Sequence, residues 1–172
     1  RIALHIIFHA RAHAGPQDLD VASTLGNLAG IHYRQGDYDA AEKEWRETLS
    51  IQQAVLGESH ADVATTLNNL GLASFKLGNK LQAHLLLQSA LEMRRAVLGE
   101  SHPDVAETLY NLAAYNSETG NLVHAETLYR EAAAIRRQAL PGDHPEIGHT
   151  LNNLGAVLRR PGGGEEARGG FE

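Results

Sequence analysis

The sequence has no cysteine, one methionine and one tryptophan among its 172 residues, and an aromatic share of only 5%. Without cysteine there is no disulfide framework, thiolate metal site or cysteine nucleophile, and such a chain fits a reducing cytoplasm. With three Phe, five Tyr and one Trp, a core must be built from Leu, Ala, Val and Ile. No run approaches the roughly 18 consecutive apolar residues that a membrane-spanning helix needs, so no membrane partner is expected. Basic residues are also scarce. The 15 Lys and Arg against 21 Asp and Glu give a formal net charge of −6, which argues against a nucleic-acid binder with its basic stripe. No phosphate loop, dinucleotide fingerprint, His-Glu-x-x-His motif or nucleophile elbow is present. The expectation is no enzyme activity and no cofactor. The opening Arg1–Ala10 lacks both an initiator Met and a convincing cleavage site, which predicts an internal stretch of a longer chain.

What is abundant is repetition. Leu-Gly-Glu-Ser-His stands at 56–60 and again at 98–102, a shift of 42. That shift aligns Val21, Val63, Val105 and Ile147, and likewise Asp20, Asp62, Asp104 and Glu146. It aligns Thr24, Thr66, Thr108 and Thr150, then Asn27, Asn69, Asn111 and Asn153. Gly36, Gly78, Gly120 and Gly162 form another column, and Ala41, Ala83, Ala125 and Ala167 a further one. A period of this length is the signature of a stacked array, in which each unit buries its apolar face on the next. The register predicts a truncated leading helix over 1–14, then repeats at 15–56, 57–98 and 99–140. A degenerate repeat follows at 141–172, its Gly-rich tail expected to fray after 160.

Each unit reads as two helices, the first over 20–35, 62–77, 104–119 and 146–160, the second over 38–56, 80–98 and 122–140. Ser59 with Asp62, Ser101 with Asp104, and Asp143 with Glu146 are spaced like capping boxes, and Pro103 and Pro145 suit a first turn. The Gly column suits left-handed helix ends. At about 100° per residue, Val21, Leu25, Leu28 and His32 form one stripe, the expected core face of the first helix. Small residues at 29, 71, 113 and 155 allow a close partner helix.

Away from that stripe lies a second set: Ser23, Asn27, Gly30 and Arg34, then Thr65, Asn69, Leu72 and Lys76. The third and fourth copies give Glu107, Asn111, Ala114 and Glu118, and His149, Asn153, Ala156 and Arg160. Surface positions usually drift between copies, yet Asn recurs in all four. Its amide offers donors and an acceptor suited to an extended peptide backbone; bonding across adjacent first helices is the competing explanation. The flanking Gly26, Asn68, Tyr110 and Asn152 vary, as partner selectivity beside a constant column would.

Ten histidines invite a metal reading. His5, His9 and His13 stand four apart, so neighbouring pairs share a helix face and have chelating spacing. No carboxylate ligand lies nearby and the register does not recur, so no metal is expected. His60, His102 and His144 do recur, but one per unit puts them roughly 20 Å apart at helix-packing distances. They fit a turn or helix-start role.

A helix pair with Leu-Ala or Leu-Gly in its first member, Gly-Asp or Gly-Asn at the turn, and Ala and an aromatic in its second resembles the tetratricopeptide repeat. Asp62-Val-Ala-Thr-Thr-Leu-Asn-Asn-Leu-Gly71 and Leu98-Gly-Glu-Ser-His-Pro-Asp-Val-Ala106 are similar to the 42-residue repeats of kinesin light chains and their relatives. The resemblance covers 15–160. It implies an all-α fold, an α-solenoid coiled as a right-handed superhelix, with first helices lining a concave groove for a protein or peptide partner. It carries backbone contact over to Asn27, Asn69, Asn111 and Asn153, with Asn68, Tyr110 and Asn152 beside them. Kinesin light chains set basic groove residues against acidic, Trp-containing peptides; Arg34, Lys76 and Arg160 match that part, whereas Glu107 and Glu118 oppose it. The leading expectation is a non-enzymatic interaction scaffold. A structural spacer or self-association module within a larger signalling protein is the alternative, suggested by the interrupted register at both ends.

Overall fold

The computed structural model describes residues 18–160; the leading helix expected over 1–14, with His5, His9 and His13, and the tail after 160 lie outside them. Among the described residues there are seven helices and no strand: α1 (Leu19–Gln35), α2 (Tyr38–Leu56), α3 (Ala61–Lys76), α4 (Lys80–Leu98), α5 (Pro103–Thr119), α6 (Leu122–Ala139) and α7 (Pro145–Leu158). The chain divides into two compact units between Met93 and Arg94.

Helix starts differ from the expected capping boxes. The caps are His60, His102 and His144, whose Nδ1 atoms accept the backbone N–H of Asp62, Asp104 and Glu146 at 3.1, 3.1 and 3.3 Å. In the first copy Asp18 does the same for Asp20 at 2.7 Å. The substitution is chemically sensible, because Nδ1 of His and Oδ1 of Asp are equally many bonds from the backbone. A ring nitrogen thereby satisfies one of the donors that every helix start leaves open. Helix ends follow the glycine column: Gly36 and Gly120 have φ of 83° and 90°. Asp37 and Asn121 return their N–H groups to His32 and Asn116 at 3.0 and 2.8 Å, closing the turn into the second helix.

In the N-terminal unit, Val21, Ala22, Leu25 and Ile51 pack together. Ala29, Ala41, Trp45, Leu70 and Ala73 make a second cluster against Tyr33, Leu49 and Leu86. Val63, Leu67 and Ala90 make a third, with Leu49 and Leu86 shared between the last two. His32 is only half-buried and departs from the apolar stripe; its Nδ1 lies 2.9 Å from a Glu44 carboxylate oxygen. In the C-terminal unit the buried residues include Val105, Leu109, Leu112, Ala125, Tyr129, Ala132, Ile147, Leu154 and Val157. In the small-residue column, Gly71 is where α3 and α4 touch. A Cβ placed on Gly71 would stand 2.7 Å from Leu87 Cγ and 3.3 Å from the Ala83 carbonyl.

A polar column runs beside this packing. Arg94 and Arg136 are 1% and 4% exposed, and each reaches 14 residues ahead to the threonine of the following first helix. Arg94 Nη1 donates to Thr108 Oγ1 at 2.8 Å, to the Asp104 carbonyl at 2.7 Å and to Glu107 at 3.1 Å. Arg136 Nη1 donates to Thr150 Oγ1 at 2.5 Å and to the Glu146 carbonyl at 3.2 Å. A buried guanidinium without such partners would be strongly disfavoured. The equivalent residue in the first copy is Gln52, whose Oε1 accepts from Thr66 Oγ1 at 2.6 Å.

Two stability outcomes follow. Gly71→Ala should destabilise the fold by about 1 kcal/mol, because overpacking against Leu87 exceeds the ~1 kcal/mol helix gain; urea unfolding measures it. His102→Ala should cost about 1 kcal/mol through loss of the cap, whereas His102→Asp, copying Asp18, should hold stability. Equal losses from the two His102 changes would show that the ring packs rather than caps.

Candidate functional site

In the N-terminal unit, the outer face of α1 and α3 carries a depression of about 480 Å³. Its rim holds Ser23 and Asn27 from α1, and Thr65 and Asn69 from α3. Trp45, Thr48 and Gln52 of α2 close it from behind, and Asp20 and Asp62 stand at one end. No Lys, Arg or His is among its lining residues. Helical spacing explains why these residues converge. Positions 20, 23 and 27, and their counterparts 62, 65 and 69, share one side of their helices while Val21, Leu25, Val63 and Leu67 bury the other. Asn27 is exposed and Asn69 half-buried.

Arg34 and Lys76, both exposed, continue the face two turns further on. Gly30 leaves space for Arg34 to lie back along α1: a Cβ there would be 3.7 Å from Arg34 Nη1. The face is therefore acidic at Asp20 and Asp62, amide-lined in the middle and basic at Arg34 and Lys76.

Asn68 requires a correction. Expected beside Asn69 as a varying lining residue, it is fully buried, and its Nδ2 donates to Asn69 Oδ1 at 3.4 Å. One position round the helix turns an exposed amide into an interior one that orients its neighbour.

The C-terminal unit uses the same columns differently. A depression of about 200 Å³ is lined by Ala114, Ser117, Glu118, Tyr129, Asn153 and Ala156. Asn153 Nδ2 donates to the Tyr110 hydroxyl at 2.8 Å, so here an amide of the Asn column bonds across to a neighbouring first helix. Tyr110 stands edge-on to Tyr129, their ring centroids 5.6 Å apart, and the Arg136 guanidinium carbon lies 5.0 Å from the Tyr110 centroid. Arg160, in the column of Arg34, donates to the Ser117 carbonyl at 2.8 Å. Asn111 is half-buried on α5, and Asn152 is exposed on α7. Burial pushes the Tyr129 phenol up to about 12, with the neighbouring Tyr110 adding to the rise, Asn153 partly offsetting it and Glu118 contributing a smaller increase.

The sequence reading missed the Arg94 and Arg136 column; the bond of Asn153 to Tyr110 is of the kind it held as the competing explanation for the Asn column, with Tyr110 as the partner it did not name. The recurrent mid-helix threonine was a usable signal for the first, since threonine is a poor helix former with no propensity reason to recur. Among the described residues, no three His, Cys, Asp or Glu side chains converge as a metal site. No described helix is long and apolar enough to cross a membrane.

The tetratricopeptide repeat family profile matches residues 20–96 and 86–138. Among solved structures, BtubC (BKLC) from P. vanneervenii is similar at 27% identity with a TM-score of 0.81, over 91% of this chain and 62% of that one. A kinesin light chain protein of Podosopora anserina with nearly identical TPR-like repeats is 21% identical, with a TM-score of 0.73 over 83% of this chain and 66% of that one. PcrH, solved in complex with the chaperone binding region of PopD, is 20% identical with a TM-score of 0.64, covering 82% and 93%. The chain thus spans about two thirds or less of the first two relatives. No curated protein sequence matches it.

An alkaline titration tests the Tyr129 environment. A phenol ionising near 10 when unfolded and about 12 when folded contributes stability that is fully present below pH 10 and is lost as pH rises towards 12. Tyr129→Phe should remove that part of the decline in melting temperature over this window. An unchanged alkaline profile would place the phenol in solvent.

Proposed function

This chain belongs to the tetratricopeptide repeat family, and on that premise we propose that it is a non-enzymatic scaffold whose first-helix face receives an extended partner peptide. The observation that carries this reading is the pairing of Asn27 and Asn69 across one depression with hydroxyls beside them. An extended peptide has a donor and an acceptor at nearly every residue, and amide side chains supply the complement of both. The depression is too open and too polar for a buried small-molecule cofactor, which is usually held in a largely apolar pocket. The PcrH neighbour, solved in complex with the chaperone binding region of PopD, offers a precedent in fold for a peptide partner.

The four asparagines do not share one role in this reading. Asn27 and Asn69 are the ligand-facing pair. Asn153, already bonded to Tyr110, chiefly ties α5 to α7. Arg34 and Lys76 extend the face of the N-terminal unit and suit acidic groups of the partner, while Asn111 and Asn152 hold the corresponding positions within the C-terminal unit.

Self-association is a second reading, favoured by a separate observation. Leu81 and Leu85 on α4 are 73% and 53% exposed, where the first copy carries Asp39 and Lys43. A second copy of the chain meeting this strip would bury both. Light scattering across a concentration series checks it: a dimer lost in Leu81→Glu supports it, and a monomer throughout overturns it.

For the groove, selection from a displayed random peptide library against the whole chain supplies a ligand. Asn27→Ala with Asn69→Ala should weaken the selected peptide about tenfold, as expected for losing one or two net hydrogen bonds. Helicity and melting should remain close to the parent. If the pair of changes instead melts the array and spares affinity, the asparagines are structural and the reading fails.

A further inference from the structure

We infer that the depression in the N-terminal unit is a receptor for an arginine side chain of the bound partner. The inference rests on the peptide-binding reading above and names the group that this part of the face selects.

The chain contains its own precedent. In two copies a guanidinium is held at the start of a first helix by the same three groups: a first-turn carbonyl, a threonine hydroxyl one turn later and a nearby carboxylate. Arg94 takes the Asp104 carbonyl, Thr108 and Glu107. Arg136 takes the Glu146 carbonyl and Thr150, with its Nε 3.4 Å from the Glu146 carboxylate. The carbonyl and the threonine recur at 42-residue spacing and so belong to the repeat, while the carboxylate comes from Glu107 in one copy and from Glu146, in the column of Asp104 and Asp62, in the next.

In α3 the first-turn carbonyl, the threonine and, in the column of Glu146, the Asp62 carboxylate are present, Thr65 standing in the place of Glu107, and the cation is missing. Asp62 and Thr66 occupy the places of Asp104 and Thr108, but the residue 14 positions before Thr66 is Gln52. Glutamine is neutral and shorter than arginine. Thr66 reverses its bond and donates to Gln52, where Thr108 and Thr150 accept. Gln52, Asp62, Thr65 and Thr66 all line the 480 Å³ depression. An internal Arg position has become a cleft beside the Asn27 and Asn69 pair.

Charge agrees with shape. Asp20 and Asp62 line the cleft and no basic residue does. His60 Nδ1, 3.6 Å from the Asp62 carboxylate, is already accepting the Asp62 N–H, so it acts there as an acceptor. First-turn carboxylates also complement the positive end of a helix, but that role does not exclude a cation. Glu146 sits in the same first-turn column and still pairs with Arg136. Ala22, Gly26 and Trp45 offer apolar wall to the aliphatic stem of a long basic side chain. A guanidinium is preferred to an ammonium because both internal guests are arginines, and Arg136 reaches Thr150 and the Glu146 carbonyl through Nη1 while its Nε faces the Glu146 carboxylate.

The test uses the whole chain and three capped pentapeptides, Gly-Ser-Xaa-Ser-Gly, with arginine, citrulline or lysine at the centre. Citrulline keeps the size and removes the charge. The arginine peptide should shift the backbone NMR signals of Gln52, Thr66 and Asn69, and bind roughly tenfold or more tightly than the citrulline peptide, as for loss of a charge-assisted hydrogen bond. The lysine peptide should fall between them. Gln52→Arg should restore the internal guest, melt no lower than the parent and lose the arginine preference. Asp62→Asn, which leaves the core untouched, should reduce the same preference independently. Equal binding of arginine and citrulline peptides, or an arginine preference that survives both substitutions, overturns the inference. In that event, library-selected peptides that still depend on Asn27 and Asn69 would leave the groove reading standing, so the two failures are separable.

Discussion

Close approach of paired helices at one small residue is the constraint on which the rest depends. Ala29 and Ala113 are fully buried, and Gly71 has no room for a side chain beside Leu87. With aromatics so few, the core cannot be filled by large rings except around Trp45 and Tyr129, and it gains contact by bringing backbones together instead. Dispersion is short-ranged, so small residues at the crossing let more neighbouring atoms reach optimal distance. Fixing the crossing point fixes which side of each first helix is buried. The opposite side is then free of packing duties, and that freedom is what a binding face needs.

The elements most legible in the sequence were those determined by local chemistry. Helix ends at Gly36 and Gly120 follow from backbone freedom alone, and the observed bounds of α2 and α4 coincide with the periodicity. The stripe from Val21 to Leu25 and its copies at Val63 and Val105 follow from the 3.6-residue turn. What escaped was set by which atoms meet in space. Ser59 looked like a cap because serine usually is one; His60, expected at a turn or helix start, is the residue that holds the acceptor at the right place in the chain. Asn68 and Asn69 are adjacent and chemically identical, and a 100° rotation buries one and half-exposes the other. Periodicity ranks faces well and boundaries between faces poorly, because a residue at the edge of the apolar stripe is assigned by its neighbour's shape. The same holds for Asn153: its column was visible, but its bond to the Tyr110 hydroxyl depends on a tyrosine found in only one copy.

That difference between copies explains how one repeat supports two kinds of surface. In the C-terminal unit, Tyr110 fills space beside the Asn column, takes the Asn153 amide and lies beneath Arg136. Its polar groups are satisfied internally, and the remaining depression is small. In the N-terminal unit the equivalent of Tyr110 is Gly26, which offers neither ring nor hydroxyl. Asn69, the counterpart of Asn153, therefore meets no hydroxyl on α1 and lines an open depression, its Oδ1 taking the Asn68 amide. A polar group at the surface loses little by waiting for a partner, since water satisfies it meanwhile; a buried one must be satisfied within the fold. Repeats can therefore exchange rigidity for receptivity by changing one residue beside a constant one.

The Gln52 position extends this logic from space to charge. A buried guanidinium is costly to desolvate, so the repeat that carries Arg94 or Arg136 must also carry the carbonyl, hydroxyl and carboxylate that compensate it. Those compensating groups belong to the next first helix, and two of them are common to every copy because the carbonyl is backbone and the threonine recurs. When the arginine is replaced by glutamine, the receptor does not disappear with its guest. It remains as an acceptor-rich cleft with Asp62 beside it and a side chain too short to fill it. In a solitary domain such a mismatch would read as a packing defect. In a repeat array, where the same receptor is seen occupied twice, it reads as a site whose guest comes from another chain. The physical reason is that the acceptors are held by helix geometry and the threonine column, independently of whether an arginine from this chain is there to use them.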